Sequence, residues 1–226
     1  MILQEPELLT ETVPETTESI NLLELLFSGG IMMIPIFILW MVAIYVFAER
    51  IMTLRKASKT PLDFKDRIRQ LVIDGDIQGA RLICVQTDTP AARMIEKGIS
   101  KIGSSLKNIE VSIENLGKLE IYRLERNLSL LATISGAAPM IGFLGTVAGM
   151  IQAFMAVAQE EGAVSPKLLS GGIYEALITT ASGLIVGILA YLGYNYLVTK
   201  VSKVVHTMEY NAIEFVELLQ EPQKKG

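Results

Sequence analysis

Residues 127–159 read NLSLLATISGAAPMIGFLGTVAGMIQAFMAVAQ, thirty-three positions without one acidic or basic side chain. An amphipathic helix on a soluble domain places polar side chains along every turn, whereas a helix crossing lipid leaves them out. As one helix the run would extend about 50 Å, more than a hydrocarbon core of roughly 30 Å requires. Part of it must leave the bilayer, tilt, or break at Pro139. Two further charge-free runs flank it. Leu25 to Ala48 is closed by Glu49 and Arg50, and Ala176 to Thr199 lies between Glu175 and Lys200. Each is 24 residues long and reaches about 36 Å, enough to cross. The expected fold is therefore all-α, an integral membrane protein with three transmembrane helices.

Composition narrows the function. Half of the 226 residues are apolar and 19% are charged, with a net charge of −4, so no basic surface points to nucleic acid. One cysteine, Cys84, and one histidine, His206, leave no disulfide framework, no Cys/His metal cluster and no histidine-based triad. Neither a cofactor nor an enzymatic activity is expected. Met1 to Asn21 carries five glutamates and no basic residue. It lacks the basic region that opens a cleavable signal peptide and reads as a short polar tail.

Orientation follows from Lys and Arg. Fifteen of the 20 basic residues lie between Glu49 and Arg126, the tail after span three adds Lys200 and Lys203, and the 160–171 loop has only Lys167. The N-terminus is expected outside and the C-terminus inside. The expected division is an outer tail (1–24), span one (25–48), a cytoplasmic helical domain (49–126) and span two (127–159). An outer loop (160–171), span three (172–199) and a cytoplasmic C-terminal helix (200–226) complete it.

Two of the helices should extend into a cytoplasmic bundle. Ile109, Ile113, Leu116, Leu119, Leu124 and Leu128 recur at helical spacing into span two, predicting one unbroken helix. Val204, Val205, Met208, Ala212, Phe215 and Leu219 do the same beyond span three. Pro61, Asp74-Gly75 and Thr89-Pro90 divide the rest of the domain into short helices, with Asp76 and Thr89 as N-caps.

Glu175 opens span three near its outer end. A carboxylate in a first turn complements the helix dipole; an ionisable group at a helix end facing a cavity also marks an ion route. The residue alone favours neither. Gly142, Gly145, Gly149, Gly183 and Gly187 allow close helix approach and are candidates for helix packing or a subunit interface. Thr133, Ser135, Thr146, Thr179, Thr180 and Ser182 place hydroxyls at bilayer depth, either back-bonded to their own helices or lining a watered lumen. Hydroxyls hold water but carry no net charge, so a proton route needs a carboxylate from elsewhere. Gly142 to Gly149 is not a phosphate loop, because no Gly-Lys-Ser/Thr follows and no strand precedes.

Two stretches carry a resemblance. Ala138-Pro-Met-Ile-Gly-Phe-Leu-Gly-Thr-Val-Ala-Gly-Met-Ile-Gln-Ala-Phe154 is similar to the A-P-x-x-G-x-x-G-T-V-x-G-M-I-x-x-F signature of ExbB and TolQ proteins. Gly172-Ile-Tyr-Glu-Ala-Leu-Ile-Thr-Thr-Ala-Ser-Gly-Leu184 resembles their G-I-x-E-A-L-x-x-T-A-x-G-L signature. Gly75 to Ala80 and Thr89 to Arg93 resemble their cytoplasmic domain. Ala148 departs from the pattern where Trp is common, and Gly187 to Tyr191 replaces a frequent Ala-Ala-Ile-Pro. The MotA/TolQ/ExbB resemblance implies a homopentamer in the bacterial inner membrane. It would enclose the transmembrane helices of a single-span ExbD-type partner that supplies the proton-binding Asp. It also implies that Thr146, Thr180 and Glu175 line the lumen, and that the proton motive force drives a TonB-type protein. A TolQ-like role in the Tol-Pal system and a passive scaffold around partner helices are the alternatives.

Overall fold

The computed structural model describes residues 29–61, 63–159 and 166–220. The polar tail, the first residues of the expected span one, residues 160–165 of the expected outer loop and residues 221–226 of the expected C-terminal helix lie outside the described residues. Seven helices fill the described chain, and none of it forms a strand. They are α1 (Met33–Ala57), α2 (Phe64–Ile73), α3 (Ile77–Thr87), α4 (Pro90–Ile99), α5 (Leu106–Glu125), α6 (Leu128–Gln159) and α7 (Pro166–Gln220). Three stretches are long and apolar enough to cross a membrane: α1, the α5–α6 pair and α7.

α7 is the spine. Its 55 residues extend about 82 Å, so one helix serves both the membrane and the bundle beyond it. α1 and α6 pack on its membrane half, and α4 and α5 on its far half. In the membrane half Ile36, Leu131, Ile134, Ala138 and Leu197 are buried between the helices, while Met140, Phe143, Leu177 and Ile185 point outward. Outward apolar side chains on every span are what a lipid or a neighbouring subunit would cover.

The expectation of one unbroken helix into span two needs a correction. α5 stops at Glu125, Arg126 turns to ψ 137° and Asn127 adopts a left-handed φ of 64° before α6 begins. Asn tolerates that conformation better than most residues. Both helices lie along α7, so the apolar spacing continues across the interruption and conceals it from a pattern reading. Pro139, by contrast, does not end α6, which runs through it for 32 residues.

The short helices begin at the expected signals. Asp76 caps α3 by accepting from Gly79 N at 2.9 Å, and Thr89 caps α4 by accepting from Ala92 N at 3.4 Å, with Pro90 in the first turn. The Asp74-Gly75 turn works because Gly75 takes φ 76°, open to glycine without strain. Phe64, Ala80, Cys84, Ala92, Met208 and Phe215 form the bundle core; burial there pushes the Cys84 thiol up to about 12.

Inside this bundle sits a charged latch. Glu120 is 1% exposed and accepts from Arg93 Nη2 (2.7 Å) and Nε (3.2 Å) and from Arg123 Nη1 (2.7 Å). Arg93 also donates to Asp88 Oδ1 at 2.7 Å, which holds that carboxyl below its ordinary range. Arg50, at the foot of span one, donates to Arg123 O at 3.2 Å and ties α1 to the same cluster. A buried carboxylate with its lone pairs filled fixes the angle between α4 and α5 where a greasy contact could slide.

Candidate functional site: the seam between α6 and α7

The five glycines singled out in the sequence meet within one chain. A methyl group added at Gly183 would lie 2.5 Å from Ala138 O and 3.0 Å from Gly142 Cα; one at Gly142 would lie 3.0 Å from Thr179 O. At Gly187 it would meet the Pro139 ring at 2.5 Å, and at Gly149 the Ala176 methyl at 2.9 Å. At Gly145 it would overlap Thr179 Cγ2. The partners climb α6 as they descend α7, so the helices run antiparallel with backbone against backbone. The face these glycines present is filled by the same chain. Gly187 also explains how Pro139 is tolerated: the ring seats in the space its missing side chain leaves.

Hydroxyls lie in and beside this seam. Thr180 Oγ1 donates across it to Gly142 O at 2.8 Å. Thr146 stands one position off the glycine face, half-buried, and donates to Phe143 O at 2.6 Å. Both protons are therefore spoken for, and what each oxygen still offers is lone pairs. Glu175, exposed on α7, lies about two turns N-terminal to Gly183 with its carboxylate over Gly30. The structure thus brings Thr180, Gly142 and Gly183 into direct contact and leaves Thr146 at the seam's edge.

Thr179 is the residue the sequence undervalued. It is 1% exposed, and its hydroxyl lies 3.1 Å from Gly29 O and 2.9 Å from Glu175 O. It joins the turn before α1 to the helix that carries the acidic residue. A run of two threonines does not reveal which faces inward. The glycine pair before the first span was the only available signal, and it was absorbed into an apolar run.

The sequence pattern of the MotA/TolQ/ExbB proton channel family matches residues 86–210, from the bundle through both helices of the seam. The chain belongs to the MotA/TolQ/ExbB proton channel family. Among its relatives, an ExbB homologue of Methanothermobacter thermautotrophicus is 30% identical over 192 residues, 84% of this chain and 67% of the relative. ExbB-like protein 1 of Synechocystis is 31% identical over 208 residues, 89% of this chain and 79% of the relative. The Tol-Pal system protein TolQ of Haemophilus influenzae is 41% identical over 85 residues, 38% of this chain and 37% of its own. With three helices long and apolar enough to cross, this MotA/TolQ/ExbB member is a multi-pass membrane protein.

Proposed function

We propose that this chain is the ExbB-like subunit of a proton-driven motor in the bacterial inner membrane, N-terminus outside and C-terminus inside. Five copies enclose the transmembrane helices of a single-span ExbD-type partner, and inward proton flow on that partner energises a TonB-type protein. One observation carries the reading. Between Met33 and Ala48, through α6 and through Pro166 to Thr199, Glu175 is the only ionisable carboxyl, so this chain by itself makes a poor proton route and a second carboxyl must come from elsewhere. The chain supplies the walls.

The hydroxyl geometry says how those walls would treat the partner's carboxyl. With their protons committed to Gly142 O and Phe143 O, Thr180 and Thr146 act on a visitor as acceptors. An acceptor binds the protonated carboxyl, which can donate, and gives nothing to the carboxylate. These two hydroxyl oxygens therefore favour the neutral, proton-loaded partner at bilayer depth, where a bare charge is expensive. Glu175, near the outer mouth, offers a negative charge where protons enter.

Thr180→Val and Thr146→Val keep the shape and remove the acceptor, at about 1–3 kcal/mol for an unsatisfied buried partner. Partner-dependent growth under iron limitation, scored against the amount of assembled complex, tests this. Lost activity with intact assembly is expected for both, and for Glu175→Ala; normal activity in all three variants would remove the lumen assignment. The similarity to TolQ supports a second reading, a Tol-Pal motor. Rescue of envelope integrity in a strain lacking TolQ, with no rescue of iron uptake, would select it.

A further inference from the structure

We infer that the Gly29-Gly30 turn is the positioning element of Glu175: it leaves the space in which the carboxylate rests, and Thr179 holds that turn in place. The inference builds on the proposal that Glu175 works in the lumen.

The turn is pinned at both ends. Gly30 O accepts from Met33 N at 3.1 Å, which starts α1. Gly29 O lies 3.1 Å from the buried Thr179 hydroxyl, which shares its one proton between this carbonyl and Glu175 O at 2.9 Å and so fastens the turn to α7 one helical turn beyond Glu175. The Thr179 methyl occupies the space over Gly145. Met32, the residue that leads from the turn into α1, reaches the same place, with its Cβ 3.6 Å from where a Gly145 methyl would stand.

Gly30 is required twice. Its φ of +63° is a conformation that side chains rarely adopt, and a methyl group there would overlap Glu175 Oε1 with Cδ at 3.0 Å. The carboxylate is thus laid against bare backbone on one side while the residue remains exposed on the other. A glutamate on a lone helix would sweep several rotamers; here one face of its volume is closed by the turn, which fixes how far the charge stands from the α6–α7 seam. Span one, which has no Asp, Glu, Lys, Arg or His between Met33 and Ala48, thereby contributes to the proton route through a backbone turn.

The test reconstitutes the full chain with its ExbD-type partner in liposomes and follows acidification of a trapped pH dye. Gly30→Ala should lower partner-dependent flux about 10- to 100-fold, as a displacement on the order of 1 Å of a functional group does, with the amount of complex unchanged. Glu175→Asp, one methylene shorter, clears the methyl, so the double variant Gly30→Ala/Glu175→Asp should recover flux relative to Gly30→Ala alone. A role limited to backbone strain predicts no such recovery. Should Gly30→Ala fail to assemble, Thr179→Val and Thr179→Ser carry the test: Val loses the bond to Gly29 and should lose flux, while Ser keeps both. Wild-type flux in Gly30→Ala or Thr179→Val, beside lost flux in Glu175→Ala, would overturn the inference. So would independent, multiplying losses in the double variant. Full flux in Glu175→Ala and Glu175→Gln would instead remove the lumen role of Glu175, and the inference with it.

Discussion

Around Gly142 and Gly183 two helices meet with hydrogen atoms in place of side chains, and a methyl group would already lie 2.5 Å from a carbonyl. Further along the same α7, Met208 and Phe215 are buried against the bundle, and Glu120 on α5 joins α4 through Arg93 while Arg123 of its own helix holds the carboxylate in place. The solvent explains the contrast. Lipid is as apolar as leucine, so greasy contacts between spans gain little, and close backbone packing with short hydroxyl bonds takes over. In water the burial of Phe, Met and Ile drives association, and ion pairs set its geometry. One helix is held at its two ends by opposite physics. Only the membrane end needs to stay uncharged, and that requirement also suits it to surround another protein's proton carrier.

The sharpest way to break this contrast is to add one methyl group inside and one outside the seam. Gly183→Ala forces backbone against backbone and should cost about 1–3 kcal/mol, seen as a lower melting temperature and yield of the purified protein. Gly136→Ala, with open space around it, should be neutral or gain up to about 1 kcal/mol, because alanine is the better helix former. Equal effects would mean that close approach does not hold the spans.

In the bundle the corresponding cut is Arg93→Ala, which leaves the buried Glu120 to Arg123 alone. Breaking a fully buried pair costs about 3–5 kcal/mol, but the Arg93 side chain is one-third exposed, so about 1–2 kcal/mol is expected after screening. Denaturation of the full chain in detergent reads this out. A variant as stable as wild type would reduce the latch to decoration.

Acid should reach the bundle before the seam, with a smaller effect. Asp88 is held below its ordinary value by Arg93. A depressed carboxyl contributes stability that is present above its unfolded value, near 4, and lost as pH falls through the folded value. Melting temperature should therefore fall below about pH 4, and Asp88→Asn should flatten part of that slope; an identical slope would leave Asp88 out of the latch.

Long charge-free runs, the two N-caps and the resemblance carried by Ala138 to Phe154 made the helices and their family legible before any coordinates. What escaped was whatever depends on the third dimension. The break at Arg126–Asn127 hides because α7 imposes one apolar spacing on both sides of it. Thr179 hides beside Thr180 because adjacent threonines differ only in the direction they face. The glycines read as sites of close approach, yet the sequence did not say that the surface approached belongs to the same chain. Gly29-Gly30 looked like the start of a span, since a turn that supports a distant carboxylate leaves no periodic trace.

The central claim is that this chain builds the proton's surroundings and another subunit carries the proton. Its most direct test is dye acidification in energised liposomes holding this chain alone, its ExbD-type partner alone, or both. The account predicts flux above empty liposomes only when both are present. Flux through this chain alone would contradict it.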